Sequence, residues 1–191
     1  AIQKLVSVRI MQQRYAEAAG LVEQQVDGLS GKDRAQALCT LAELYHQHLG
    51  RTQDARDVLE VAVQLSLEDA TLMARLKGLL EATDAWQALS QFMVTHYEEA
   101  ENPTERCERA LKLARLHYEN LDDAEGFQTW IKHAQQARRD NPDVVSLLIE
   151  FHTAREEWDS VAPRLEWLVR YMEAKRITSG LAQRAHELAR L

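Results

Sequence analysis

The segment LAELYHQHLG, Leu41 to Gly50, is echoed by LARLHYENLD, Leu113 to Asp122, 72 residues later. Without a gap, the same shift lays Leu49 on Leu121, Ala62 on Ala134, Leu76 on Leu148, Ala82 on Ala154 and Trp86 on Trp158. Single leucine matches are weak because leucine is common. Tryptophan is rare, so its match carries the register, and Tyr15, 71 residues before Trp86, extends the series backwards by one aromatic. A chain of 191 residues written in this way is constrained to an array of one supersecondary unit. Sequence periods of about 20–50 residues mark such arrays, in which each unit buries its apolar face only by stacking on a neighbour.

Half the period is 36 residues, and each half carries two amphipathic helical patterns bracketed by stop and start signals. Gly50 closes one helix and Thr52 is placed to cap the next, while Asp122 and Glu125 have capping-box spacing. Asn102-Pro103 and Asn141-Pro142 put a capping side chain before a proline at the first helical position, where its missing N–H costs nothing. Pro163 is expected within about the first turn of a helix, where proline is tolerated. Only 7 glycines and 3 prolines interrupt a chain rich in Ala, Leu, Glu, Gln and Arg, so the fold class is all-α. The spacing predicts one domain of about five helix–turn–helix units at 1–34, 35–69, 70–104, 105–141 and 142–176, with a C-terminal helix at 178–191. AHELARL at the end echoes ALKLARL, Ala110 to Leu116, so the chain is expected to stop midway through a sixth unit, as a piece of a longer protein.

These residues resemble the tetratricopeptide repeat, a helical hairpin of about 34 residues. Leu38, Leu41, Ala42 and Tyr45 match the large, leucine, small and aromatic positions of its first helix, and Ala55, Leu59 and Ala62 match the second after one extra turn residue. The fourth unit offers Leu113, Ala114, His117, Ile131 and Ala134 but departs at Phe127, where the family has a small residue. The fifth keeps Val145, Leu148, Val161, Leu165 and Leu168, and the first keeps Ile2, Leu5, Val6, Tyr15, Ala18 and Val22. The resemblance implies a right-handed solenoid whose first helices line a concave groove and whose second helices form the back. It also implies a protein-interaction scaffold. Carried over, the groove positions are Gln36, Cys39, Glu43 and His46, then Thr71, Ala74, Gly78 and Glu81, then Glu108, Leu111, Arg115 and Tyr118, then Asp143, Ser146, Glu150 and Thr153. The family's clamp for an acidic C-terminal tail needs Lys, Asn and Arg, and the groove positions here do not supply it.

Charge bears on the partner. The net charge is −7, and the whole acidic excess falls within residues 65–127, with Glu98, Glu99, Glu101, Glu105 and Glu108 crowded together. Nucleic acid is not expected, because a phosphate backbone needs a basic track. Five acids and one arginine on the carried-over positions favour a basic or neutral peptide segment, with Leu111 and Tyr118 as affinity anchors.

The other chemistry is sparse. Cys39 and Cys107 lack metal-ligand spacing and read as buried thiols. His46 and His48 are two apart on a helix and point to different faces, and His96, His117, His133, His152 and His186 are scattered, so no metal site and no cofactor is expected. Acidic pairs such as Asp122-Asp123 and Glu156-Glu157 sit at helix starts and suit the helix dipole, and no nucleotide or nucleophile motif appears, so an enzyme is not expected. Trp86 and Trp158 read as second-helix core anchors. No apolar run approaches the ~20 residues of a membrane span. The segment AIQKLVSVRI lacks a secretory signal's core, which favours the cytoplasm. The alternative to a scaffold is a structural segment that self-associates through its solenoid ends or faces.

Overall fold

The computed structural model describes residues 2–65 and 69–177. The helix predicted over 178–191 lies outside them. Among the described residues the chain is all-helical: α1 (Ile2–Met11), α2 (Tyr15–Val26), α3 (Gly31–Glu43), α4 (Thr52–Ala62), α5 (Ala70–Ala82), α6 (Trp86–Glu98), α7 (Pro103–Glu119), α8 (Ala124–Ala137), α9 (Pro142–Ala154) and α10 (Trp158–Ala174). The 72-residue period of the sequence is a period of the structure. Shifted by 72, the starts of α3, α4, α5 and α6 at Gly31, Thr52, Ala70 and Trp86 fall on those of α7, α8, α9 and α10 at Pro103, Ala124, Pro142 and Trp158.

The hairpin turns repeat as well. Gln13, Gly50, Asp84, Asp122 and Glu156 have φ of 58°, 65°, 53°, 49° and 57°, and each stands two residues before a second helix. Only Gly50 adopts this left-handed backbone without cost. At the other four the strain is offset by a closing bond, in which the next residue's N–H donates back into the first helix: Arg14 to Arg9 O at 2.9 Å, Ala85 to Leu80 O at 2.9 Å, Asp123 to His117 O at 2.9 Å and Glu157 to His152 O at 3.0 Å. Arg51 closes on Tyr45 O at 2.8 Å, six residues back like Asp123 and unlike the five at Arg14, Ala85 and Glu157. At both six-residue turns the first helix ends on a wider bond, Leu49 N–H to Leu44 O at 3.1 Å and Leu121 N–H to Leu116 O at 3.2 Å, and in the first case a π-helical turn runs over Leu44–His48.

Contacts divide the chain into two compact units, residues 1–95 and 96–191. In the first, α1 packs on α2, α2 on α3, α3 on α4 and on α5, and α4 on α5. Ala18, Ala35, Ala42, Ala55, Leu59 and Ala62 are wholly buried there. Alanines let the helix backbones approach, and leucines fill the grooves beside them. Lys32 binds the α5 capping carboxylate of Asp69 at 2.6 Å, and Arg56 Nε donates to Thr83 O at 2.6 Å, fastening the α5–α6 turn to α4. The Tyr45 hydroxyl donates to Glu23 and so links α3 to α2.

In the second unit α7 packs on α8, α8 on α9, α9 on α10, and α7 on α9. One core joins Cys107, Ala110, Ala114, Phe127, Ile131, Ala134, Val144, Leu147, Leu148 and Phe151; another joins Ile149, Val161, Leu165 and Leu168. Phe127, the departure from the family's small residue, is wholly buried and stacks on Phe151 with centroids 4.0 Å apart. The aromatic pair thus joins α8 to α9, the first helix of the next hairpin.

Several local expectations need correction. Thr52 is the first helical residue of α4 and makes no cap; its hydroxyl lies 3.3 Å from His46 Nδ1. Asp122 carries the left-handed turn, and the α8 cap is Asp123, whose Oδ1 accepts the Gly126 N–H at 2.9 Å. Asn102 and Asn141 do cap, accepting from the N–H groups of Glu105 and Asp143, each at 2.9 Å. Pro163 is the sixth residue of α10, in its second turn. Helices α3 and α7 start at Gly31 and Pro103, ahead of the unit boundaries drawn at 35 and 105, because Ser30 and Asn102 end the extended linkers there. Trp158 is 48% exposed and Trp86 half-buried. Both are the first residue of a second helix and neither is buried, so neither is a core anchor.

Candidate functional site

The carried-over groove residues fall on the first helices of their hairpins, but their surroundings differ. In the first unit Gln36, Thr71, Ala74, Gly78 and Glu81 are exposed. Cys39 is not on that surface at all: it is wholly buried, and burial pushes its thiol up to about 11. Glu43 is half-buried and already engaged. Arg75 of α5 reaches it with both ends of its guanidinium, Nε to Oε1 at 2.7 Å and Nη2 to Oε2 at 2.6 Å, and Nη2 also meets Thr40 Oγ1 at 3.1 Å. A bidentate pair of this kind fixes orientation as well as distance. It pins α3 to α5 and leaves Glu43 already paired. His46 is half-buried against Thr52, and Glu81 has Lys77 at 3.5 Å on its own helix.

In the second unit Glu108, Arg115, Asp143, Glu150 and Thr153 are exposed and Ser146 is half-buried. Arg115 stands 3.9 Å from Glu150 across α7 and α9, and 3.6 Å from Glu119. The polarity of the cross-helix pair is thus reversed between the units: acid on α3 and base on α5 in one, base on α7 and acid on α9 in the other. Leu111 and Tyr118 are half-buried edges of the core. The Tyr118 ring meets Phe127 at 5.7 Å and Phe151 at 5.5 Å.

Two concavities adjoin these residues. One, of about 260 Å³, lies between α1 and α3 over α2, with Val6, Ile10, Val22 and Leu29 below Gln25 and Gln36. The other, of about 290 Å³, lies at the α7–α8 turn, between Tyr118, Asp122 and Asp123 on one side and Phe151, Ala154 and Arg155 on the other. There the Arg155 guanidinium sits over the Phe151 ring, 4.7 Å from its centroid. The Gly126 N–H and the His117 ring, whose Nδ1 is 2.8 Å away, hold the Asp123 carboxyl below its ordinary range. Burial pushes the Cys107 thiol up, opposed by Asn141 Nδ2, which donates to Sγ at 3.2 Å. Among the described residues no group of three or more His, Cys, Asp or Glu side chains is placed to hold a metal ion, and no helix is long and apolar enough to cross a membrane.

Sequence reasoning did not single out Arg75 or Arg155. Arg75 lies 32 residues from Glu43, one position off the pattern of groove residues, and no local signal couples them. Arg155 lay in a turn, where a basic residue near a helix C-terminus is unremarkable. No known family model matches the chain, and no curated protein matches it significantly.

Proposed function

We propose that this chain is a protein-interaction scaffold of the tetratricopeptide type, a right-handed array whose first helices present the binding face to a basic or neutral segment of another protein. The observation that carries this reading is the five-fold recurrence of one turn, with a left-handed residue two positions before each second helix. A repeated turn sets a repeated hairpin, and stacked hairpins offer an extended row of side chains on their first helices. Exposed polar and acidic residues stand on first helices within each unit, Gln36 and Glu81 in the first and Glu108, Asp143 and Glu150 in the second. Acidic residues there speed the encounter with a basic segment and select against acidic ones.

Affinity capture with the wild-type chain and with a Glu81→Lys/Glu108→Lys/Glu150→Lys variant tests the proposal. Glu43 is left in place, because Arg75 needs it. A bound protein that is lost from the folded variant supports the reading; a set of bound proteins indifferent to the substitutions opposes it.

Self-association is a second reading with its own observation. Leu5, Val8 and Met11 form a stripe on α1 that is 40%, 39% and 75% exposed. Stripes of this kind mark contacts between proteins. Sedimentation of the wild type against Leu5→Gln/Val8→Gln separates the two: a concentration-dependent dimer abolished by the substitutions favours self-assembly.

A further inference from the structure

We infer that the concavity at the α7–α8 turn is a receptor for a guanidinium side chain, an arginine of the partner, and that Arg155 occupies its aromatic face in the unbound protein. This rests on the scaffold reading above and names the side chain that the scaffold takes.

The site is built from three elements. Tyr118, from the last turn of α7, forms one wall, and Phe151, from the last turn of α9, forms the floor. Asp122 and Asp123, in the turn, line the same concavity as Arg155, two acidic residues to one arginine. Phe151 is only 3% exposed: Phe127 stacks on it at 4.0 Å, and Arg155 lies over the ring. A planar cation over an aromatic face beside carboxylates is the arrangement in which arginine is best bound, since the guanidinium stacks and accepts charge neutralisation at once. The molecule's own arginine shows that the face accepts this group. Arg155 is held only at its edge, with a side chain 46% exposed and Glu157 Oε1 3.7 Å from Nε. Swinging towards that carboxylate frees the ring without leaving Arg155 unpaired. Glu157 stays in place meanwhile, because its other oxygen is bonded to His152 Nδ1 at 2.6 Å. Asp123 is committed to Gly126 and His117, so Asp122, exposed on its left-handed turn, is the carboxylate that meets an incoming cation.

The register shows that the same four positions do not build this site in the first unit, where Arg51 lies over the Tyr45 ring instead, 4.4 Å from its centroid. Shifted by 72, Tyr118, Asp122, Phe151 and Arg155 become His46, Gly50, Leu79 and Thr83, which supply neither a carboxylate nor an aromatic floor.

The test is an NMR titration of the whole chain with acetyl-Gly-Arg-Gly amide and with its citrulline counterpart, which keeps the shape and removes the charge. The arginine peptide is expected to shift the amides of Asp122, Ala124 and Ala154 and the Arg155 Nε–H, and the citrulline peptide is not. Asp122→Asn should weaken binding, and Arg155→Gln should strengthen it by removing the resident competitor, each by roughly fivefold or more. Thermal melts check that Arg155→Gln folds; if it does not, Arg155→Lys, which cannot stack as a plane, replaces it with the same expected direction. Equal shifts from both peptides, or affinities unchanged in both variants, overturn the inference. A captured partner whose binding ignores Asp122→Asn also overturns it while leaving the scaffold reading intact. Specific arginine-peptide binding without any captured partner does the reverse.

Discussion

Gly126 and Gly78 both lie inside helices, and the account gives opposite signs for replacing them with alanine. At Gly78, in α5, a methyl group would meet nothing within 4 Å. Alanine there gains helix propensity alone, worth up to about 1 kcal/mol. At Gly126, the third residue of α8, an added Cβ would lie 2.2 Å from His117 Nδ1, 2.3 Å from Asp123 Oδ2 and 2.8 Å from His117 Cε1. Real Cβ atoms do not make such contacts, so both the His117 ring and the Asp123 carboxylate must move. The His117 side chain is only 12% exposed and has little room to retreat. Losing the Asp123 cap costs about 0.5–2 kcal/mol. Losing the His117–Asp123 bond adds about 1 kcal/mol, its Asp side being open to solvent. Set against the propensity gain of about 1 kcal/mol, the net loss is about 0.5–2 kcal/mol. In a chain of this size that lowers Tm by about 1–8 °C, whereas Gly78→Ala raises it slightly. Differential scanning calorimetry on the two variants decides. The double variant His117→Ala/Gly126→Ala should lose less relative to His117→Ala than Gly126→Ala loses relative to the wild type, because only the Asp123 contact remains. A Gly126→Ala protein that melts above the wild type would refute the reasoning.

Three further expectations follow from the packing and the ion pairs. A double-mutant cycle over Glu43→Ala and Arg75→Ala in urea should give a coupling of about 0.5–1 kcal/mol, discounted because about a third of each side chain remains exposed; a coupling of zero removes the clasp between α3 and α5. Ala42→Trp or Ala134→Trp, each at a wholly buried helix–helix contact, should destabilise by at least about 1–3 kcal/mol, and unchanged melts would show that the hairpin register is misassigned. Acid should loosen the helix starts of α5 and α8. The carboxyls of Asp69, bonded to Lys32, and of Asp123 titrate below the ordinary value of 3.8 when folded, so their contribution is complete above that value and is lost as pH falls below it. Unfolding curves taken through this range should show a smaller loss for Asp123→Asn than for the wild type.

Much of the architecture was legible because its causes are local or periodic. The tryptophan match at Trp86 and Trp158 located a register that the structure keeps at the starts of four helices. Asn102 and Asn141 announced their caps, since a capping side chain before proline is a short-range signal. The same tryptophans misled on burial: periodicity gives a residue's place in the repeat, but at the first position of a helix that place is half in solvent. Asp122 illustrates a similar limit. Capping-box spacing pointed to Asp122, but the cap is Asp123, because the closing bond to His117 O goes with a left-handed Asp122. Surface reading reached less far. Spacing placed Glu43 on a first helix but was silent about Arg75, whose reach depends on how α5 packs beside α3. Phe127 looked like a flaw in the pattern and became the centre of a core, because Phe151 supplied its partner from another hairpin.

The central claim, that the first helices carry recognition, is tested most directly by measuring Kd for a captured partner by calorimetry against matched charge reversals on the two kinds of helix. Glu81→Lys/Glu108→Lys changes first helices α5 and α7, and Glu60→Lys/Glu125→Lys changes second helices α4 and α8 at exposed positions. The account predicts a loss of roughly tenfold or more for the first pair, with a reduced salt dependence, and less than about twofold for the second. Equal losses in both pairs, or a loss confined to the second helices, would contradict it.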